Sequence, residues 1–116
     1  MNWNWKVICL KTIFDKIINR EIPADIVYET DTILAFKDIN PVAPVHLLII
    51  PKCNIPTVND ITDEDSKVLA ELFLSAKAIS KQIGLDQDGY RLVVNCNEDG
   101  GQTVYHLHMH LIGGKK

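Results

Sequence analysis

Three of the four histidines fall in one short stretch, Tyr105-His106-Leu107-His108-Met109-His110-Leu111-Ile112. Their spacing is i, i+2, i+4, and apolar residues fill the places between. A strand sends alternate side chains to opposite faces. As a strand, this stretch sets His106, His108 and His110 on one face and Tyr105, Leu107, Met109 and Leu111 on the other. A row of imidazoles on an apolar backing suits two kinds of chemistry. The first is metal binding, since an H-x-H pair on one strand is a good two-ligand unit. All three on one ion is harder, because His106 and His110 would have Cα atoms roughly 13 Å apart at the rise of a strand. The second is nucleophilic catalysis by a neutral imidazole whose neighbours set its tautomer. His108, in the middle, has a partner on each side. That arrangement fits phosphoryl or nucleotidyl transfer better than peptide hydrolysis, and there is no G-x-S-x-G nucleophile motif.

The residues just before the row favour an anionic substrate. Gly100 and Gly101 lack Cβ, so a phosphate could come close to the backbone. Successive N–H groups of Gly100-Gly101-Gln102-Thr103 could form an anion nest. Thr103 adds a hydroxyl and Asn95 an amide. The fourth histidine, His46, opens a strand elsewhere and is kept as a candidate.

The elements that must position these groups follow from periodicity. Thr12 and Asp15 make a capping-box pattern for a short helix over 12–20, with Ile13, Phe14, Ile17 and Ile18 as its apolar stripe. Pro23 is expected to end it. Residues 26–29 and 33–37 read as a hairpin across Thr30-Asp31-Thr32. A third strand covers 45–50 and stops at Pro51. Thr62, with Asp63, Glu64 and Asp65, starts one long helix, where anions suit the helix dipole. Val68, Leu69, Leu72, Phe73, Ala76, Ile79 and Ile83 form its apolar face, and Gly84 closes it. Residues 90–96 form a fourth strand, and the histidine stretch a fifth. One short and one long helix on a mostly antiparallel five-stranded sheet define an α+β domain over 12–116, preceded by an N-terminal extension over 1–11.

Composition narrows the class. At 116 residues with 47% hydrophobic and 23% charged residues, the chain fits one globular domain. A net charge of -3 and no basic block argue against nucleic acid as partner. No apolar run approaches the length of a membrane span. The N-terminus lacks a signal-peptide core, and Cys9, Cys53 and Cys96 are odd in number and widely spaced, so a cytoplasmic location is expected.

Taken together, Gly100-Gly101-Gln102-Thr103-Val104-Tyr105-His106-Leu107-His108-Met109-His110-Leu111-Ile112-Gly113-Gly114 resembles the signature of the histidine triad (HIT) nucleotide-binding proteins, most closely the purine nucleoside phosphoramidase branch. Ile13-Phe14-Asp15-Lys16-Ile17-Ile18, Glu21-Ile22-Pro23-Ala24, Leu34-Ala35-Phe36-Lys37-Asp38-Ile39, Ala43-Pro44-Val45-His46 and Tyr90-Arg91-Leu92-Val93-Val94-Asn95 follow in the family's order. The resemblance implies a HIT-like homodimer with sheets joined edge to edge, acting on purine nucleotides without a cofactor. It implies cleavage of the P–N bond in purine nucleoside 5′-phosphoramidates through a nucleotidyl-histidine. Its alternatives are dinucleoside polyphosphate hydrolysis and a non-enzymatic nucleotide-binding adaptor. His108 would be the nucleophile, with His106, His110, His46 and Thr103 in support. Asp38 would hold the ribose hydroxyls, and Asn95, Gly101 and Gln102 would surround the phosphate. Ile13, Phe14, Ile17, Phe36 and Ile39 would enclose the base, with Lys37 beside them. Many relatives carry a structural zinc on Cys-x-x-Cys and a later His. Here those positions are Thr12, Asp15 and Asn54, so no metal is expected.

Overall fold

The computed structural model describes residues 12–114. The N-terminal extension over 1–11, with its expected edge strand, lies outside them. A five-stranded antiparallel sheet carries the fold, in the order β1-β2-β3-β5-β4. Its strands are β1 (Ile26–Glu29), β2 (Ile33–Lys37), β3 (Val45–Pro51), β4 (Tyr90–Val93) and β5 (Met109–Gly113). Helix α1 (Ile13–Ile18) covers one face, and α2 (Ser66–Gln82) packs on the other.

Strand parity sorts the core into two layers. Ile33, Ala35, Leu47, Ile49, Met109 and Leu111 meet Leu72, Ala76 and Ile79 of α2. Leu34, Phe36, Leu48 and Ile50 meet Phe14 and Ile17 of α1. The two central strands β2 and β3 are buried on both faces, which explains their unbroken apolar runs. Leu48 pairs with His110, and His46 lies two residues before Leu48 on the same strand. The α1 face therefore carries both His46 and His110.

The capping box of α1 forms as expected: the Thr12 hydroxyl accepts from Phe14 N, and Asp15 Oδ2 accepts from Thr12 N at 2.9 Å. The helix is shorter than the stripe suggested. It closes at Asn19, and Arg20 turns the chain at φ +64°, before Pro23 is reached. The long helix is preceded by a 3-10 turn over Asp63–Asp65, which takes the Thr62 cap. Phe73 was expected in its buried face but is 58% exposed. It lies about 100° around the helix from Leu72, off the side that meets the sheet. Gly84 follows the helix at φ +81°, one place beyond the terminal Ile83.

The largest departure concerns the histidine row. The ladder begins only at Met109, so His106 and His108 are not strand residues; only the second half of the expected strand over 105–112 forms, and it runs on to Gly113. The register gives a reason. Ile49 faces Met109, so Pro51 would face Leu107, and proline has no N–H to carry the ladder on. Leu107 N instead donates to Ile55 O at 2.6 Å. The three imidazoles still share the α1 side, where Phe14 meets both His106 and His108, but only His110 is carried there by the ladder.

Candidate active site

His108 and His110 are built into the site in different ways. His108 Nδ1 lies 2.7 Å from the carbonyl of His106. A carbonyl only accepts, so Nδ1 carries the proton and Nε2 keeps its lone pair. Burial is the main cause that lowers the His108 pKa from about 6.5, followed among the lowering causes by the charge of His106; the bond to the His106 carbonyl and the charge of Asp38 oppose this. The ring is neutral at pH 7, and its free nitrogen is a nucleophile. Phe14 presents an edge to it at 5.1 Å between centroids.

Across the adjacent strands β3 and β5, His46 and His110 form a polarised pair. Val42 N donates to His46 Nδ1 at 3.1 Å. The His46 proton is therefore on Nε2, which lies 2.9 Å from His110 Nδ1 and 3.3 Å from Asp38 Oδ2. His110 accepts at Nδ1 and so carries its own proton on Nε2. Burial, then the nearby His108 and His46, lower the His110 pKa. The His108 and His110 rings stand edge to face, 5.1 Å apart. The pair thus offers a lone pair on one ring and an N–H on its neighbour, a combination suited to attacking a phosphorus and holding its oxygens.

Asp38, His46 and His110 also bring three potential metal ligand atoms within 4.8 Å of one another. The His46–His110 separation of 2.9 Å is a hydrogen-bond distance. Two nitrogens about 2.0–2.1 Å from one tetrahedral ion would stand roughly 3.3 Å apart.

His106 does something else. It is fully buried, and its Nε2 donates to Pro51 O at 2.8 Å.

The turn before the histidines folds differently from the expectation. Gly100 N and Gln102 N both donate to Asn97 O, and Gly101 N donates to Glu98 O. These three amides close the 3-10 turn over Glu98–Gly100 on itself, so they do not form the expected anion nest. Gly101 is needed for its φ of +88°. Gln102 is buried, and both of its amide hydrogens are spent on Pro56 O at 2.8 Å and Val104 O at 3.0 Å. Its Oε1 accepts from Asn97 N. The side chain ties three loop segments together and has no donor to spare for phosphate. Asn95 Nδ2 donates to Gly100 O at 2.7 Å and braces the same turn. Thr103 stands exposed at its end.

Among the expected base-contacting residues, Phe14, Ile17 and Phe36 come together as buried core, with Phe14 and Phe36 edge to face at 5.5 Å. Ile13 is 49% and Ile39 is 89% exposed, so these two are the ones with apolar surface still uncovered. Asp38 Oδ1 accepts from Asn40 N, and its Oδ2 points at His46. Lys37 lies on the α2 side of the sheet with Ile33 and Ala35, 3.4 Å from Asp25, not beside the α1 cluster. Three participants were missed in the sequence: the Val42 N–H, the Pro51 carbonyl and the second role of Asp15 beside His106. The first two are backbone groups, which leave no signal in residue type.

A family model for the HIT domain matches residues 19–116, and the chain belongs to that family. It is 55% identical over 105 residues to the purine nucleoside phosphoramidase of Escherichia coli strain K12, covering 90% of this chain and 88% of that protein. Among solved structures, a HIT family hydrolase from Legionella pneumophila Philadelphia 1 superposes with a TM-score of 0.89 at 53% identity, over 91% of this chain and 95% of the other. A histidine triad protein from Clostridium difficile gives 0.87 at 47% identity, with 90% of each chain covered.

Proposed function

We propose that the protein hydrolyses the P–N bond of purine nucleoside 5′-phosphoramidates. The observation that carries this reading is the His108 ring: neutral, held by its Nδ1–H, with Nε2 free beside the Nε2–H of His110. The similarity to the Escherichia coli phosphoramidase supports the choice of bond.

In the first step His108 Nε2 attacks the α-phosphorus and the P–N bond breaks. The leaving nitrogen takes a proton from solvent and departs as the amine. His110 Nε2–H and the Thr103 hydroxyl hold the phosphoryl oxygens as charge develops. Water then attacks the nucleotidyl-histidine, the P–Nε2 bond breaks, the nucleoside monophosphate leaves and the water's proton returns to solvent, so the histidines end as they began. His46 keeps His110 in the donating tautomer. Asp38, with two oxygens, accepts from the vicinal ribose hydroxyls. Ile13 and Ile39 cover the base over the floor of Phe14, Ile17 and Phe36, an apolar enclosure that tolerates either purine.

The same reading makes the protein a homodimer. Strand β4 is one of the two outer strands of the sheet, and alongside it runs a cleft of about 750 Å³ lined by Leu85, Tyr90, Arg91, Ile112 and Gly113 that holds none of the histidines. An unpaired edge of this kind is a site for strand addition. The setting is the cytoplasm; among the described residues no helix is long and apolar enough to cross a membrane.

A fluorogenic AMP phosphoramidate, assayed against diadenosine triphosphate, tests the reading. Turnover of the phosphoramidate and its loss in His108→Ala, with AMP still bound, is the expected result. Robust turnover by His108→Ala, or preference for the diadenosine substrate, would overturn it.

A further inference from the structure

Directly behind the nucleophile lies a buried imidazole with an unanswered nitrogen. His106 is 0% exposed, and its Nε2–H is committed to Pro51 O. Its Nδ1 is buried without a hydrogen-bond partner. The nearest charged atom is Asp15 Oδ1, 3.5 Å away. Asp15 is itself held in place: its Oδ2 accepts from Thr12 N, which leaves Oδ1 as the oxygen turned to the ring. With only the Nε2 proton on His106, the lone pair of its buried Nδ1 would face a carboxylate oxygen. A second proton, on Nδ1, turns that repulsion into attraction between opposite charges at ion-pair distance.

We propose that Asp15 is a positioning residue that keeps His106 doubly protonated, and that the pair thereby fixes the His106 carbonyl which holds His108 Nδ1–H. The role rests on the reading of His108 as nucleophile. It joins the N-terminus of α1, the end of β3 and the reacting histidine in one chain: Asp15 to His106, His106 to Pro51, and the His106 carbonyl to His108. The titratable groups facing the ring are Asp15 from α1 and His108 from its own segment. Strand β3 offers the Pro51 carbonyl, and Phe14 an aromatic edge at 6.0 Å. A positive ring here also disfavours a proton on His108, in line with the lowering that His106 exerts there.

Nitrogen-15 NMR of the histidine rings, in the wild type and in Asp15→Asn, tests this. The asparagine keeps the shape, and its amide can donate to an unprotonated Nδ1. In the wild type at pH 7, both His106 nitrogens should carry protons. In Asp15→Asn, only Nε2 should. With the phosphoramidate, kcat should fall roughly ten-fold with KM nearly unchanged. The acid limb of kcat/KM should move to higher pH, because the positive neighbour of His108 is gone. An unprotonated Nδ1 in the wild type overturns the proposal, and so does an acid limb that moves to lower pH, which would mean that a lone carboxylate had been removed. The wild-type spectrum decides alone if the variant does not fold. It is also independent of turnover, so failure of the phosphoramidase reading would not be mistaken for failure of this one.

Discussion

Replacing Gln102 with leucine separates scaffolding from phosphate binding. The wild-type side chain makes three hydrogen bonds, at 2.8 Å to Asn97 N, 2.8 Å to Pro56 O and 3.0 Å to Val104 O. Leucine has similar bulk and makes none. At roughly 1 kcal/mol for each bond, with a further 1 kcal/mol or so for stranding the buried Pro56 carbonyl, the gross loss is about 4 kcal/mol. Apolar burial of leucine offsets part of this, leaving about 3 kcal/mol. At about 4 °C per kcal/mol for a chain of this size, Tm should fall on the order of 12 °C. Calorimetry and urea unfolding measure the loss, and calorimetric titration with AMP at low temperature measures binding to the folded variant. Binding should stay within about three-fold of wild type, since the wild-type amide has no donor left to give. Gln102→Glu sharpens the test, because it turns an oxygen toward two carbonyls and should destabilise at least as much. Normal stability combined with a large loss of AMP affinity would refute the reasoning and restore Gln102 as a phosphate ligand.

Other outcomes follow from the same geometry. The lowered His108 and His110 pKa values place the acid limb of kcat/KM below pH 6.5, measured with a substrate that does not titrate there. The same two groups bind protons more readily unfolded than folded, so they lower stability as pH falls from about 6.5 through their folded values; Tm scans between pH 7.5 and 5 should show that decline. Phe14→Ala should cost about 3–5 kcal/mol, because it empties the junction of Phe36, His106 and His108, and denaturant titration reads this directly. Asp38→Asn should weaken AMP more than dAMP, narrowing the preference for ribonucleotides in a competition assay.

The chain announces most of its fold. Alternation and turn residues located β1 and β2 to the residue and β3 to within one, because central strands buried on both faces are written as continuous β-branched and aliphatic runs. The Thr12 and Asp15 cap was equally legible, since capping is a local interaction, whereas the acidic turn expected to open the long helix forms a 3-10 turn before it. Residue type and spacing also singled out His108, His110 and His46. What spacing alone could not reveal was how those imidazoles differ. Three identical side chains two residues apart read as one row. Only the packed structure shows that His106 is sealed between Pro51 and Asp15, that His108 is buried against the His106 carbonyl, and that His110 keeps partial exposure. Likewise, Gln102 in a glycine turn read as a phosphate contact until its three loop partners were in place. A titratable side chain takes its role from the groups that meet it. Where those are backbone atoms far away in the chain, such as Val42 N, Pro51 O and the His106 carbonyl, tertiary structure decides the tautomer and with it the chemistry.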